Sequence, residues 1–504
     1  MSRWTNLGDL VDRSRDLDRI AVIDLLRRDA PREWSHRAID AHANGVARLL
    51  TDAGLPRGAC VAILALNRAE YVISYFGIMR AGFVAVPVNT KLPRETIDYI
   101  FEDARIAFAF TDGARRHLVP SAVPAIDFDD AGPDGFAARV VPGAFDTLPA
   151  GADEIGQILY TSGSTGRPKG VPLSHAGQLW ALETLTAATV PETERSIIAQ
   201  PLFHMNGLFQ SKSVFATNGS VVYLPGFDVA DYVDALERYQ ITNVMAVPTM
   251  LARVVKDEAA LAERDFSALK RIRLGSAPLT LGLIERIRAA FPGIPVTNGF
   301  GTTEAGPAVF GPHPDGLPQP PLAVGYPLAG GEVRLVDGPS DDEGVLLMRN
   351  PAVTPGYLNL PAQSARVLDA GWYRSGDVFR RDAQGFYYFV GRADDMFVCS
   401  GENIYPGEVE KLLERHPDVQ QAAVVPLPDE ERGQVPVAFI VRRAEGAIAV
   451  DEVKRFAIDN GPAYQHPRRI AFVADLPWAG TNKIDRKALI EEARTREAAA
   501  GWSL

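Results

Sequence analysis

Short apolar runs alternate along most of the chain with stretches of helical period. Examples are CVAILAL (Cys60 to Leu66), AEYVISYFGIMRAG (Ala69 to Gly82) and VAVPVN (Val84 to Asn89), and this rhythm predicts stacked α/β layers. At IPVTNGFG (Ile294 to Gly301) an apolar strand runs into a glycine-bounded turn, the kind of sheet edge at which ligands of α/β sheets bind. Between about Gly325 and Gly391 the texture changes to short strands separated by Gly, Pro and Asp turns (GGEVRLVDG, EGVLLMRN, GFYYFVGR), which predicts a small β-rich subdomain. From Asp394 to Leu504 new helix patterns (PGEVEKLLERH, VDEVKRFAID) and strands (QQAAVVPLP, PVAFIVRR, RRIAFVAD) predict a separate small α+β domain. The expected organisation is thus an α/β N-terminal domain over 1–393, with its β-rich subdomain at 325–393, and a C-terminal domain over 394–504. The boundary falls near Gly391 to Asp395.

Composition narrows the function classes. A chain of 504 residues with 46% hydrophobic content has ample material for a large core. Lys plus Arg number 52 against 63 Asp plus Glu, so the basic excess that tracks a phosphate backbone is lacking and nucleic acid is not an expected partner. Two cysteines, Cys60 and Cys399, are too few and too far apart for a disulfide framework or a CxxC metal site, which fits a reducing cytoplasm. No run approaches the roughly 18 to 20 apolar residues of a membrane helix, and charges occupy the N-terminal stretch where a signal peptide needs apolar ones. No integral membrane segment is expected.

The densest chemistry lies at Thr161 to Gly170, TSGSTGRPKG, preceded by the strand-like QILY. Glycines let backbone N–H groups converge on an anion, hydroxyls donate to phosphate oxygens and Lys169 adds positive charge. The spacing is not that of a Walker A motif, because Lys169 precedes Gly170 where that motif needs Ser or Thr after the lysine. A flexible Ser/Gly surface loop is the bland alternative for such a stretch.

The segment resembles the phosphate loop of the adenylate-forming superfamily of acyl-CoA synthetases, aryl-CoA ligases, luciferases and peptide-synthetase adenylation domains. The likeness continues in order from about Val61 to Leu489. It implies ATP contacts at Thr161, Ser162, Gly163, Ser164, Thr165, Gly166 and Lys169. PLFHMNGL (Pro201 to Leu208) is similar to the segment whose histidine walls the carboxylate pocket, which makes His204 the candidate gate. LGSAPL resembles the adenine-binding stretch, with Gly275, Ser276 and Ala277 small enough for a flat base to lie against backbone. NGFGTTEAG resembles the YGxTE motif: with Asn298 and Gly299 leading in, Phe300 would stack on adenine, Thr303 meet the α-phosphate and Glu304 help hold Mg²⁺. Phe300 stands where the family has tyrosine and keeps the π face.

YRSGDV looks like the ribose-binding turn, with Asp377 accepting from the ribose hydroxyls. GRADDMFVCSGENIYPGEVE resembles the hinge, with Arg392 near the nucleotide, Asp394 as pivot, and Ser400 and Gly401 near the CoA tunnel. LPWAGTNKIDRKAL is similar to the motif whose lysine, here Lys483, reaches into the site for adenylation. Read without the family, Lys483 is an ordinary surface lysine. The resemblance implies an ATP-dependent acid:CoA ligase using ATP, Mg²⁺ and CoA, with a mobile C-terminal domain that withdraws Lys483 between its two half-reactions. The rival is a stand-alone adenylating enzyme that loads a carrier protein. The acid pocket is read from His204, Asn206, Val247, Met250 and Ala305, a mix that admits a short acyl chain, an aryl acid or a small polar acid. A diacid such as malonate would want a paired arginine, for which Arg253 is one candidate, but Gly299 stands where the resemblance puts another in malonate-specific relatives, so malonate ranks below a monocarboxylic acid.

Overall fold

The computed structural model describes residues 3–161, 167–187, 194–277, 279–400, 402–430, 432–443, 448–462, 464–478, 484–499 and 501–502. The apolar run Cys60–Leu64 is an interior strand because both of its faces find apolar partners. Val61 and Ile63 pack into one cluster, Ala62 and Leu64 into another, and all four are fully buried. A strand buried on both faces in a parallel sheet reads as a continuous apolar run, as this one does. Its sheet runs Ala125–Asp127, Ile106–Thr111, Cys60–Leu64, Val84–Pro87, Ile155–Thr161, Lys169–Ser174, parallel except for the last strand.

A second sheet runs Val296–Asn298, Arg271–Leu274, Asn243–Ala246, Arg195–Ile198, Ser220–Tyr223, Ile20–Asp24, Arg32–Ser35, again parallel except at the last strand. One hydrophobic cluster draws side chains from both sheets and from the helices His36–Asp52, Ala69–Arg80, His175–Thr186 and Met205–Ala216. The Ala69–Arg80 helix is buried at every position, so its apolar run leaves no polar face to read.

The β-rich sheet is antiparallel and starts earlier than its sequence texture, because the two-residue strand Phe310–Gly311 pairs with Ala323–Pro327. Two residues are too few to carry a period. It continues through Tyr387–Arg392, Trp372–Arg381, Glu343–Arg349 and Glu332–Ser340. The last sheet, built on Val419–Asp429 paired with Gly433–Arg442, has a core of buried side chains drawn from Phe397 to Ala493, with Trp502 packed against it. Arg486 crosses that unit to grip Glu410 with bonds of 2.6 and 2.9 Å. No described helix is long and apolar enough to cross a membrane.

Candidate active site

Three parallel strands of the second sheet end side by side at Ala246, Leu274 and Asn298, and the residues that follow form its carboxyl edge. A Cβ built on Gly275 would lie 3.0 Å from the Gly299 carbonyl oxygen, so these two loops approach as closely as glycine allows. Ser276 adopts a left-handed φ of 67°, and its Oγ accepts a bond of 3.2 Å from Asn206 Nδ2. This bond ties the start of the Met205–Ala216 helix, capped by His204, to the edge. The Oδ1 of Asn206 is buried with no hydrogen-bond partner among the described residues. The His204 ring packs edge-on against Phe203 at 4.7 Å.

Asn298 donates to the Leu322 carbonyl at 3.0 Å and fixes the strand end. Phe300 packs edge-on against Phe379 at 4.8 Å. Thr303 and Glu304 occupy a tight turn that is closed by Thr302 N–H donating to Gly306 O at 3.2 Å and by Thr302 Oγ1 accepting from Ala305 N at 2.9 Å. Gly306, at φ 76°, is what lets the turn close.

Glu304 has a partner that the sequence did not announce. Tyr357 donates its hydroxyl to Glu304 Oε1 at 3.0 Å and itself accepts from Tyr373. Burial and the nearby Glu304 carboxylate push both phenols well above the usual tyrosine range. Lys169 Nζ lies 4.2 Å from the centre of the Tyr357 ring, a cation–π distance. Leu358 N donates to Gly170 O at 2.8 Å, which holds this tyrosine segment against the strand that carries Lys169. Across the strand pair Lys169 faces Thr161, whose buried hydroxyl has no hydrogen-bond partner among the described residues. An ammonium and an orphaned hydroxyl at the two ends of one loop fit a polyphosphate. Ser162, Gly163, Ser164, Thr165 and Gly166 between them, with Gly401 and Lys483, lie outside the described residues.

Asp377 is buried and bonded to Arg392 Nη1 at 3.0 Å, while Arg392 Nε donates to Asp394 Oδ1 at 2.9 Å. One guanidinium thus bridges the ribose candidate and the hinge candidate. Ser400 has a left-handed φ of 53° and donates its N–H to Arg432 O.

The acid-pocket candidates come from several elements, with Asn206 at the start of the Met205–Ala216 helix and Val247 directly after the strand end at Ala246. Met250 is buried among the helices flanking the second sheet, Ala305 is buried under the β-rich sheet, and Val247 packs at the edge of the former cluster. Arg253 lies over the Phe227 ring at 5.1 Å. Sequence reasoning passed over Tyr357, Tyr373 and Arg273. For Arg273 a signal existed: a second arginine inside the strand RIRL, where apolar residues are the rule.

The AMP-binding enzyme family model matches residues 12–358, and the AMP-binding enzyme C-terminal domain model matches 408–483. A feruloyl-CoA synthase of Amycolatopsis sp is 32% identical over 463 residues, covering 89% of this chain and 91% of that protein. A 2-succinylbenzoate–CoA ligase of Bacillus pumilus is 28% identical over 466 residues, covering 91% of this chain and 93% of the relative. The crystal structure of the anthranilate CoA ligase AuaEII in complex with anthranoyl-AMP superposes with a TM-score of 0.89 at 27% identity, over 99% of both chains. The chain belongs to the AMP-binding enzyme family, in its acyl- and aryl-CoA ligase branch, and is an ATP-dependent ligase that joins a carboxylic acid to CoA through an acyl-adenylate.

Proposed function

We propose that the carboxyl edge of the second sheet, together with the loop that ends at Lys169, carries both half-reactions. The observation that supports this most is the cluster of Lys169, Tyr357 and Glu304, which sets a cation and a carboxylate around one tyrosine at the mouth of the phosphate loop. A carboxylate is a poor electrophile because charge masks its carbonyl carbon, so it needs a leaving group before a thiol can attack. In the first step a carboxylate oxygen attacks the α-phosphorus of ATP in line, and the bond to pyrophosphate breaks. Protein groups contribute position and charge neutralisation. Lys169 and residues 161–166 hold the β and γ phosphates, Thr303 meets the α-phosphate, Phe300 and Gly275 to Ala277 flank adenine, and Asp377 accepts from the ribose. Glu304 would hold Mg²⁺ with the substrate phosphates, a donor set that suits a hard cation, and the ion would supply charge neutralisation.

In the second step the CoA thiolate attacks the acyl carbon and expels AMP. Lys483 belongs to the first step and must leave before the second, with Asp394 as the pivot and Ser400 and Gly401 facing the pantetheine arm. Arg392, bonded to both Asp377 and Asp394, then reports ribose occupancy to the hinge. Residues 394–504 act as the domain that moves. Two free cysteines suit a reducing cytoplasm.

The test measures AMP and acyl-CoA from ATP, Mg²⁺ and CoA across aliphatic, aromatic and dicarboxylic acids. AMP and thioester should form in equal amounts with one class of acid. Lys483→Ala should lower adenylation at least 100-fold yet leave thioester formation from synthetic acyl-AMP intact. Equal loss in both half-reactions would remove Lys483 from this role, and pyrophosphate exchange without thioester would point to a carrier-protein acceptor.

A further inference from the structure

The strand Arg271–Leu274 alternates between two environments. Ile272 and Leu274 are fully buried in the cluster flanked by the Leu281–Ala290 helix, so Arg271 and Arg273 project from the opposite face. Their surroundings differ. Arg271 is paired with Glu194 at 2.6 Å and donates to Asn243 Oδ1 at 3.0 Å. Arg273, two residues nearer the carboxyl edge, is half-buried and has no carboxylate or hydrogen-bond acceptor of its own among the described residues.

Its guanidinium leans towards that edge. A Cβ built on Gly299 would stand 2.7 Å from Arg273 Nε and 2.9 Å from Nη2, so the guanidinium fills the space that a side chain at 299 would take. Gly299 directly precedes Phe300, and the loop after Arg273's own strand is the one tied to Asn206. Burial, with Arg271 nearby, lowers the pKa of Arg273 from the usual arginine value. A half-buried guanidinium with no carboxylate beside it is open to an arriving anion, whose charge it would meet with paired N–H donors.

We propose that Arg273 binds a second carboxylate on the acid substrate, so that the enzyme takes a dicarboxylic acid, adenylating one carboxylate and holding the other on the guanidinium. This rests on the placement of the acid site at the carboxyl edge given above. A planar guanidinium suits the task because its paired N–H groups match the two oxygens of a carboxylate. Gly299 belongs to the same device, since any side chain there would displace the guanidinium.

The test is ATP–pyrophosphate exchange with pairs of acids of equal length carrying one or two carboxylates, using the wild type, Arg273→Met and Arg273→Lys. The diacid should be preferred. Arg273→Met should raise its KM roughly 10- to 100-fold with kcat little changed and the monoacid unaffected, and Arg273→Lys should recover part of the loss. ATP affinity by fluorescence titration should be the same in all three. If Arg273→Met fails that control, Arg273→Gln, which keeps a polar head without the charge, takes its place with the same selective rise expected. Equal use of monoacid and diacid by the wild type, or a variant that harms both alike, overturns the assignment. A wild type that binds ATP but exchanges with neither class would overturn the placement of the acid site itself.

Discussion

Tyr357 offers its ring face to Lys169 and its hydroxyl to Glu304, and so serves a cation and an anion with one side chain. Its pKa and that of Tyr373 lie far above the assay range, so both stay protonated and the donation to Glu304 persists at every working pH. Tyr357→Phe removes the hydroxyl and keeps the ring. We expect adenylation, followed by pyrophosphate exchange, to fall about 10-fold, corresponding to a charged hydrogen bond of about 1.5 kcal/mol. Tyr357→Leu, which also removes the cation–π contact, should fall further. Unchanged exchange in Tyr357→Phe would show that Glu304 needs no orienting partner. Lys169 could be singled out in the sequence from the chemistry of a phosphate-holding loop, and Glu304 only through the resemblance of NGFGTTEAG to the YGxTE motif. Tyr357 was not, since in PGYLNL it is an ordinary aromatic until the fold brings it to Glu304.

Within single elements, periodicity located the strand Cys60–Leu64 and the helix Ala69–Arg80 to within two residues of their observed ends. The Met205–Ala216 helix was harder to read, because pattern reasoning assigns charged residues to solvent and Lys212 is fully buried. Its ammonium donates to Gln178 Oε1 at 2.9 Å and has no ion pair among the described residues, and burial pulls its pKa down to about 7. The folded-state pKa therefore lies below the unfolded one. Between pH 7 and 10.5 the unfolded chain binds more protons, so this group makes stability rise with pH across that window. Lys212→Met should stabilise the protein at pH 7 by about 1–3 kcal/mol and flatten the slope, as read by urea unfolding at a series of pH values. Destabilisation at pH 7 would mean that the bond to Gln178 outweighs the burial of charge.

For the molecule as a whole, the sequence conveyed the layered class but not the strand order. Ile20–Asp24 pairs with Ser220–Tyr223, a contact so distant along the chain that no local pattern encodes it. The seating of residues 397–493 on the rest of the protein was equally hidden, and one carboxylate stands at that seam. Glu414, at the end of the Pro406–Leu413 helix, accepts from Ala422 N at 3.1 Å and from the Thr280 hydroxyl, beside Arg286. Burial pushes its pKa up to about 7 against the attraction of Arg286. Because the folded value exceeds the unfolded 4.5, the seam is strongest when Glu414 is protonated and weakens as pH rises from 4.5 through 7. Glu414→Gln keeps an acceptor for Thr280 and cannot ionise, so it should add about 1–2 kcal/mol to the contact at pH 8 and nothing at pH 5. Hydrogen exchange in the Leu281–Ala290 helix reads this directly. The wild type should lose protection between pH 6 and 8, after correction for the intrinsic exchange rate, while Glu414→Gln should hold it. Identical pH profiles in the two proteins would assign the seam's pH response to another group.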